Sequence, residues 1–337
     1  MENSTLQSSK AVNRITVLWA ITECGLGGFF HALKTPFTGL IVGGLAVIYI
    51  SLIAWHSQQK MRDLGRALLF VLVIKFSVSP HSPPGAYLAV SMQAGFGMLF
   101  FGILPSYRVA AVFTALFSMV SSAAQKIIIL TLLYGMSIWK AIDQFMIQVT
   151  EKMHFVKIPE EVSVSFWLVV LYTGTYALGG IAIGLLAGSL PTILQREQEK
   201  LESISNRFVF TIPLKTGGKK KKKNYGITLV FILLTAFVVL FEYIYFSAEA
   251  AIFQLLRTLL IIFAWFYLLN PLIKYLLRNF FESKKETYNE QVSNVQDMIP
   301  KMSAFARFAW KESKNMNNKF RLLNFVHLFI YFGIYKA

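Results

Sequence analysis

The sequence predicts an all-α, polytopic integral membrane protein: a bundle of six transmembrane helices, about two further transmembrane helices, and a cytoplasmic helical tail. Three observations predict it. Hydrophobic residues make up 55% of the 337 positions and charged ones only 15%, with 30 phenylalanines, a balance suited to lipid. Apolar runs of spanning length recur at roughly 14–33, 36–55, 66–79, 84–104, 107–134, 163–194, 226–247 and 250–273. Lysines and arginines gather in the connections between these runs, as the positive-inside bias requires.

Taken in order, the run at 14–33 reads as a first span, because no small-residue cleavage pattern of a signal peptide follows it. The run at 36–55 is a second span. That at 66–79 is short and ends in Ser77-Val78-Ser79-Pro80-His81-Ser82-Pro83-Pro84-Gly85-Ala86-Tyr87, where three prolines and a glycine cannot continue a helix. Freed backbone groups at membrane depth are tolerated only against protein or a water-filled cavity. This connection is therefore either a substrate-facing loop or a short rigid turn. Spans at 84–104, 107–134 and 163–194 complete a bundle over 14–194.

A basic cytoplasmic linker, 195–225, follows. It carries Gly217-Gly218 and then the run Lys219 to Lys223, which reads as a solvated contact with the membrane surface, so membrane lipid is an expected partner. Residues 226–273 supply two further spans. The remainder, 274–337, is a cytoplasmic amphipathic tail with apolar residues at helical spacing (Val292, Val295, Met298, Met302, Phe305), interrupted near Pro300. Its closing run, Phe320 to Tyr335, is short enough to lie on the surface.

The lysine and arginine bias sets both termini in the cytoplasm of a multi-pass cell-membrane protein and puts the 77–87 connection on the external side. The same bias accounts for the net charge of +16 without nucleic acid. One cysteine, Cys24, excludes a disulfide framework and a cysteine-based metal site.

Ionisable residues within the spans are the stronger functional hints, since each is costly in hydrocarbon. Glu23 lies near the middle of the first helix and is expected to meet a cation, a histidine or a substrate. Lys75 lies near the external end of the third, and Gln125 with Lys126 towards that of the fifth. With His31, His81, Tyr87 and Gln93 they are candidates to line one external-side pocket. Snorkelling to the nearer interface is the other reading of Lys75 and Lys126. Glu242, Glu249 and Arg257 are expected to pair structurally. Small residues four apart (Ala20, Cys24, Gly28; Gly39, Gly43; Gly180, Gly184, Gly188) suit close helix packing within the chain or docking of a partner.

Catalytic signatures are missing. Gly217-Gly218-Lys219 lacks the earlier glycine and following Ser or Thr of a phosphate-binding loop, and the five histidines form no His-Glu-x-x-His motif. Glu160-Glu161 has Ser165 where a glutamate-pair membrane protease would have arginine. No enzyme, no resident metal and no cofactor are expected; ATP-driven work would need a partner.

On Lys75 through Tyr87 with Val90 and Gln93, on Ser121 to Lys126, and on the stripe Ala20, Cys24, Gly28, residues 14–194 resemble the substrate-binding (S) component of energy-coupling factor (ECF) transporters. That resemblance implies six helices around an externally accessible pocket. It also implies capture of a vitamin-like micronutrient, and docking through Ala20, Cys24 and Gly28 to a coupling subunit driven by ATPases. The C-terminal part looks a little like the coupling subunit itself. Its Ala306-Arg307 resembles the Ala-Arg-small motifs that contact the ATPases, although Phe308 stands where a small residue belongs. The opposing expectations are a non-catalytic scaffold or regulatory protein recruiting cytoplasmic partners, or an intramembrane enzyme using Glu23 with His31 or His81.

Overall fold

A computed structural model describes residues 2–33, 38–78, 84–152, 162–208, 226–245, 247–316 and 320–336. His81 and the lysine run at 219–223 lie outside them, as do the side chains of Gly28 and His31. Every regular element among the described residues is helical: α1 (Glu2–Leu33), α2 (Thr38–His56), α3 (Lys60–Val78), α4 (Pro84–Ile103), α5 (Tyr107–Tyr134), α6 (Ser137–Lys152), α7 (Val164–Arg196), α8 (Gln198–Ser205), α9 (Gly226–Tyr245), α10 (Ala248–Phe263), a π-helical segment (Ala264–Leu269), α11 (Asn270–Met316) and α12 (Arg321–Tyr335).

Among the described residues, five stretches are long and apolar enough to cross a membrane: Gly39–His56, Gly85–Ile103, Tyr107–Tyr134, Val164–Arg196 and Ala248–Ile273. They mark an all-α, membrane-embedded protein. Helix α3 has the length, but Lys60, Arg62, Asp63 and Arg66 crowd its first half. Ile232–Tyr245 of α9 and Arg321–Tyr335 are shorter apolar helices.

One element adds to the sequence reading and one differs from it. The connection at 135–160 contains helix α6, which alternates an apolar face with Lys140, Asp143, Gln144 and Gln148. The tail does not break near Pro300, because α11 runs through it to Met316. Proline removes one N–H but does not force a break when the next turn is anchored. Here Met302, Phe305 and Ala309 are all buried in the core.

The chain divides into two compact units: unit 1 is Met1–Met119, Leu178–Gly218 and Asn279–Ala337, and unit 2 is Val120–Ala177 with Lys219–Arg278. These boundaries cut across the linear segments, since α5, α7 and α11 each contribute to both.

In unit 1, α1 packs on α2 and α3, and α4 packs on α2 and α3. Helix α2 is apolar along nearly its whole length and sits innermost, with 67% of its span buried. A helix that is apolar all round needs a bundle or lipid on every side. The sixth span's glycines explain a second contact. A Cβ added at Gly180 would lie 2.9 Å from Leu116 Cα, at Gly184 2.5 Å from Val112 Cα, and at Gly188 3.2 Å from Arg108 Cα. Steps of four on α7 thus meet steps of four on α5, backbone to backbone. Tyr107 donates to the Ser51 carbonyl at 3.1 Å and lies 3.3 Å from that of Ala187.

Helix α12 closes back on α1 and α8. Arg14 donates to the Ile334 carbonyl at 2.9 Å and Lys336 pairs with Glu202 at 3.0 Å. His327 is buried on α12 and makes no hydrogen bond through either ring nitrogen. Burial pushes its pKa below the ordinary imidazole value, with the Glu197 carboxylate opposing.

Unit 2 is built on different means. Helix α5 ends at Gly135, whose φ of 68° favours glycine and whose N–H reaches the Thr131 carbonyl at 2.7 Å. The last carbonyls of a helix need partners, and within hydrocarbon water cannot supply them. A polar face on α10 does: Gln254 donates to the Tyr134 carbonyl at 3.0 Å and Thr258 to that of Leu133 at 3.3 Å. The Arg257 guanidinium lies against Gly135, which accounts for this charge as a helix-end contact. Asp143 of α6 caps α7, accepting from the Ser165 N–H at 2.6 Å and its hydroxyl at 3.0 Å.

Candidate functional site

Helical periodicity turns Glu23 and Lys75 inward. On α3 the buried residues Leu64, Ala67, Val71 and Ile74 form one stripe, and Lys75 falls on the edge of it. On α1, Ile15, Trp19 and Thr22 are buried along the face that carries Glu23. Because α1 and α3 pack directly, the two side chains meet. Lys75 Nζ donates to Glu23 Oε2 at 2.7 Å, with the side chains 6% and 4% exposed respectively. Of the cation, histidine or substrate expected at Glu23, the structure supplies a cation, and Lys75 is buried against it.

Pairing makes the burial tolerable. A lone charge within hydrocarbon costs several kcal/mol. Removing one member of such a pair typically costs about 3–5 kcal/mol, whereas replacing both with apolar groups is often neutral. The pair is therefore not needed to join α1 to α3, which already share an apolar core.

Other polar groups of unit 1 lie on neighbouring helices. Thr22 and Tyr49 share a buried hydrogen bond of 3.1 Å between α1 and α2; neither was among the expected site residues, although a polar Thr beside a Glu within an apolar run is a usable signal. Tyr87, in the first turn of α4, is buried. Gln93 is buried deeper on α4, its amide nitrogen 2.8 Å from where a Cβ would stand on Gly43. The missing side chain at Gly43 gives this amide its room, and its Oε1 has no hydrogen-bond partner. A buried acceptor left without a donor is uncommon.

Gln125 and Lys126 belong to unit 2. Lys126 Nζ lies 3.4 Å from the Tyr176 hydroxyl and 5.9 and 5.8 Å from the ring centres of Tyr172 and Tyr176. Four residues apart on α7, the two rings stand one above the other and accept the ammonium on their faces. Sequence reasoning missed both tyrosines, because aromatic residues at helical spacing are ordinary in a span.

Of the docking residues, Ala20 and Cys24 are buried within unit 1, so the chain's own core occupies that face. Arg307 is exposed on α11 and Ala306 half-buried beside it. Among the described residues no three His, Cys, Asp or Glu side chains come together as a metal site. No protein-family model, curated protein or solved structure matches the chain.

Proposed function

We propose that this chain is the substrate-capture subunit of a membrane transporter, taking a small polar, vitamin-like micronutrient from the external side of the cell membrane for ATP-driven uptake by a partner complex. The observation that carries the reading is the buried Glu23–Lys75 pair. Ionisable residues in membrane helices usually mark a substrate path, and this pair contributes little to stability that apolar residues could not supply. Lys75 stands two residues before the Pro- and His-rich connection at 77–87, and Tyr87 closes it, which groups the polar residues near one end of the α3–α4 hairpin. Gln93 adds a buried acceptor without a donor.

The charge distribution supports cytoplasmic termini and an external 77–87 connection. In this reading α1 to α5 and α7 form the capture bundle of an S-component-like protein. The partners are an ECF-type coupling subunit and ATPases. With Ala20 and Cys24 taken up by internal packing, exposed Arg307 on α11, with half-buried Ala306 beside it, is available to meet a cytoplasmic partner.

The test is mass spectrometry of small molecules released from the purified protein. One compound should be enriched with the wild-type chain and missing from the Glu23→Gln/Lys75→Met double variant. If nothing is enriched, and cytoplasmic proteins co-purify through residues 278–319, the chain is a scaffold instead.

A further inference from the structure

The ion pair also limits what the captured solute can be. Glu23 and Lys75 are in direct contact and almost fully buried, so a ligand group that binds either one takes it from the other. In a low-dielectric interior a separated charge must find a new counter-charge. A carboxylate alone would satisfy Lys75 and strand Glu23. An amine alone would do the reverse. An uncharged ligand would have to leave the pair intact or strand both of its members.

Only a molecule carrying one cation and one anion lets each side chain exchange one counter-charge for another, with the site neutral before and after. We propose, resting on the capture reading, that the Glu23–Lys75 pair is the charge-reading element of the site. Its ligand is a small zwitterion, with an ammonium-type group on the Glu23 carboxylate and a carboxylate-type group on the Lys75 ammonium. The pair starts in contact, so the ligand's two charges sit a few atoms apart, as in an amino acid, and not at opposite ends of a long chain. Specificity then comes from the penalty on singly charged competitors, which is a repulsive device as much as an attractive one.

The experiment is thermal unfolding of the full-length protein in detergent with matched compounds at equal concentration. Glycine, β-alanine and γ-aminobutyrate with the common α-amino acids form the zwitterionic set. Methylamine, ethylamine and propylamine form the cationic set, acetate, propionate and butyrate the anionic one, and a panel of singly charged and neutral vitamins is run beside them. At least one zwitterion should raise Tm by several degrees while its singly charged counterparts do not. The shift should vanish in Glu23→Gln/Lys75→Met, where both charges leave together. The exchanged variant Glu23→Lys/Lys75→Glu, which keeps a pair, should retain it.

Stabilisation by vitamins or singly charged compounds but by no zwitterion overturns the ligand class and leaves capture standing. No stabilisation by any compound overturns both. A zwitterion shift that persists in the double neutral variant removes the pair from the site.

Discussion

Units 1 and 2 both contain long apolar helices, yet they are held together by different forces. In unit 1 the span Gly39–His56 is 67% buried by its neighbours, whereas in unit 2 only 11% of Ala248–Ile273 is. Unit 1 interlocks through side-chain volume and through the missing side chains of α7. Unit 2 has a small core around Tyr134, Ile138 and Val238, and its register comes from hydrogen bonds that Gln254 and Thr258 make to the end of α5. Lipid tails are as apolar as leucine, so hydrophobicity alone does not say which face of a span should touch protein. Close packing answers that question in unit 1, and polar groups on α10 answer it in unit 2.

The largest break should come from the ion pair of unit 1. Lys75→Met alone leaves the Glu23 carboxylate buried without a counter-charge and should destabilise by about 3–5 kcal/mol, while the double variant Glu23→Gln/Lys75→Met stays near wild type. Denaturation in detergent reads both, and equal losses in the single and double variants would falsify the buried pairing.

Next in size is Gly184→Val. Its Cβ would meet Val112 Cα at 2.5 Å, and a backbone atom in a helix cannot step aside, so a loss near 3 kcal/mol is expected, at the upper end for overpacking. Gly174 lies on the same helix but in unit 2, with nothing within 4 Å of an added Cβ. There Gly174→Ala should leave stability level or raise it by about 0.5–1 kcal/mol. If both substitutions cost the same, α5 and α7 do not cross as described.

Gln254→Leu tests the hydrogen-bonded unit. Without its amide the Tyr134 carbonyl loses a donor where water is scarce, and a loss of about 1–2 kcal/mol should follow. Faster hydrogen exchange should be confined to the last turn of α5; protection unchanged there would mean that the contact is dispensable.

The smallest effect depends on pH. His327 is buried without hydrogen bonds, and its folded pKa is depressed, so the unfolded chain takes up its proton first as the solution is acidified. Its contribution is intact above the ordinary value of about 6.5 and is lost progressively as pH falls towards and through the folded pKa. His327→Leu should flatten the stability profile on the acid side, and an unchanged slope would mean that the imidazole is solvated.

Much of this was legible in the residues. The steps of four at Gly180, Gly184 and Gly188 announced a close helix contact, and the tight approach to α5 is such a contact, because only glycine leaves room for another backbone. Glu23, near the middle of its apolar run, announced a cation, a histidine or a substrate, and a cation meets it. Less legible was the partner of Lys126. This lysine lies over Tyr172 and Tyr176, neighbours that come from a helix some fifty residues further on. The role of Arg257 was also hidden: an acidic partner was expected, and a helix terminus at Gly135 receives it.

By itself the sequence determined that the chain is helical and membrane-embedded, since runs of apolar residues in lipid must satisfy their backbone groups internally. It also determined which few charges are too deep to be incidental. Tertiary structure decided which helices touch, that Lys75 meets Glu23, and that Ala20 and Cys24 face the chain's own core. The physical reason is that helix formation follows from local periodicity and the cost of bare backbone. Pairing between spans depends instead on shape and on single polar contacts separated by 52 residues in one case and 120 in another.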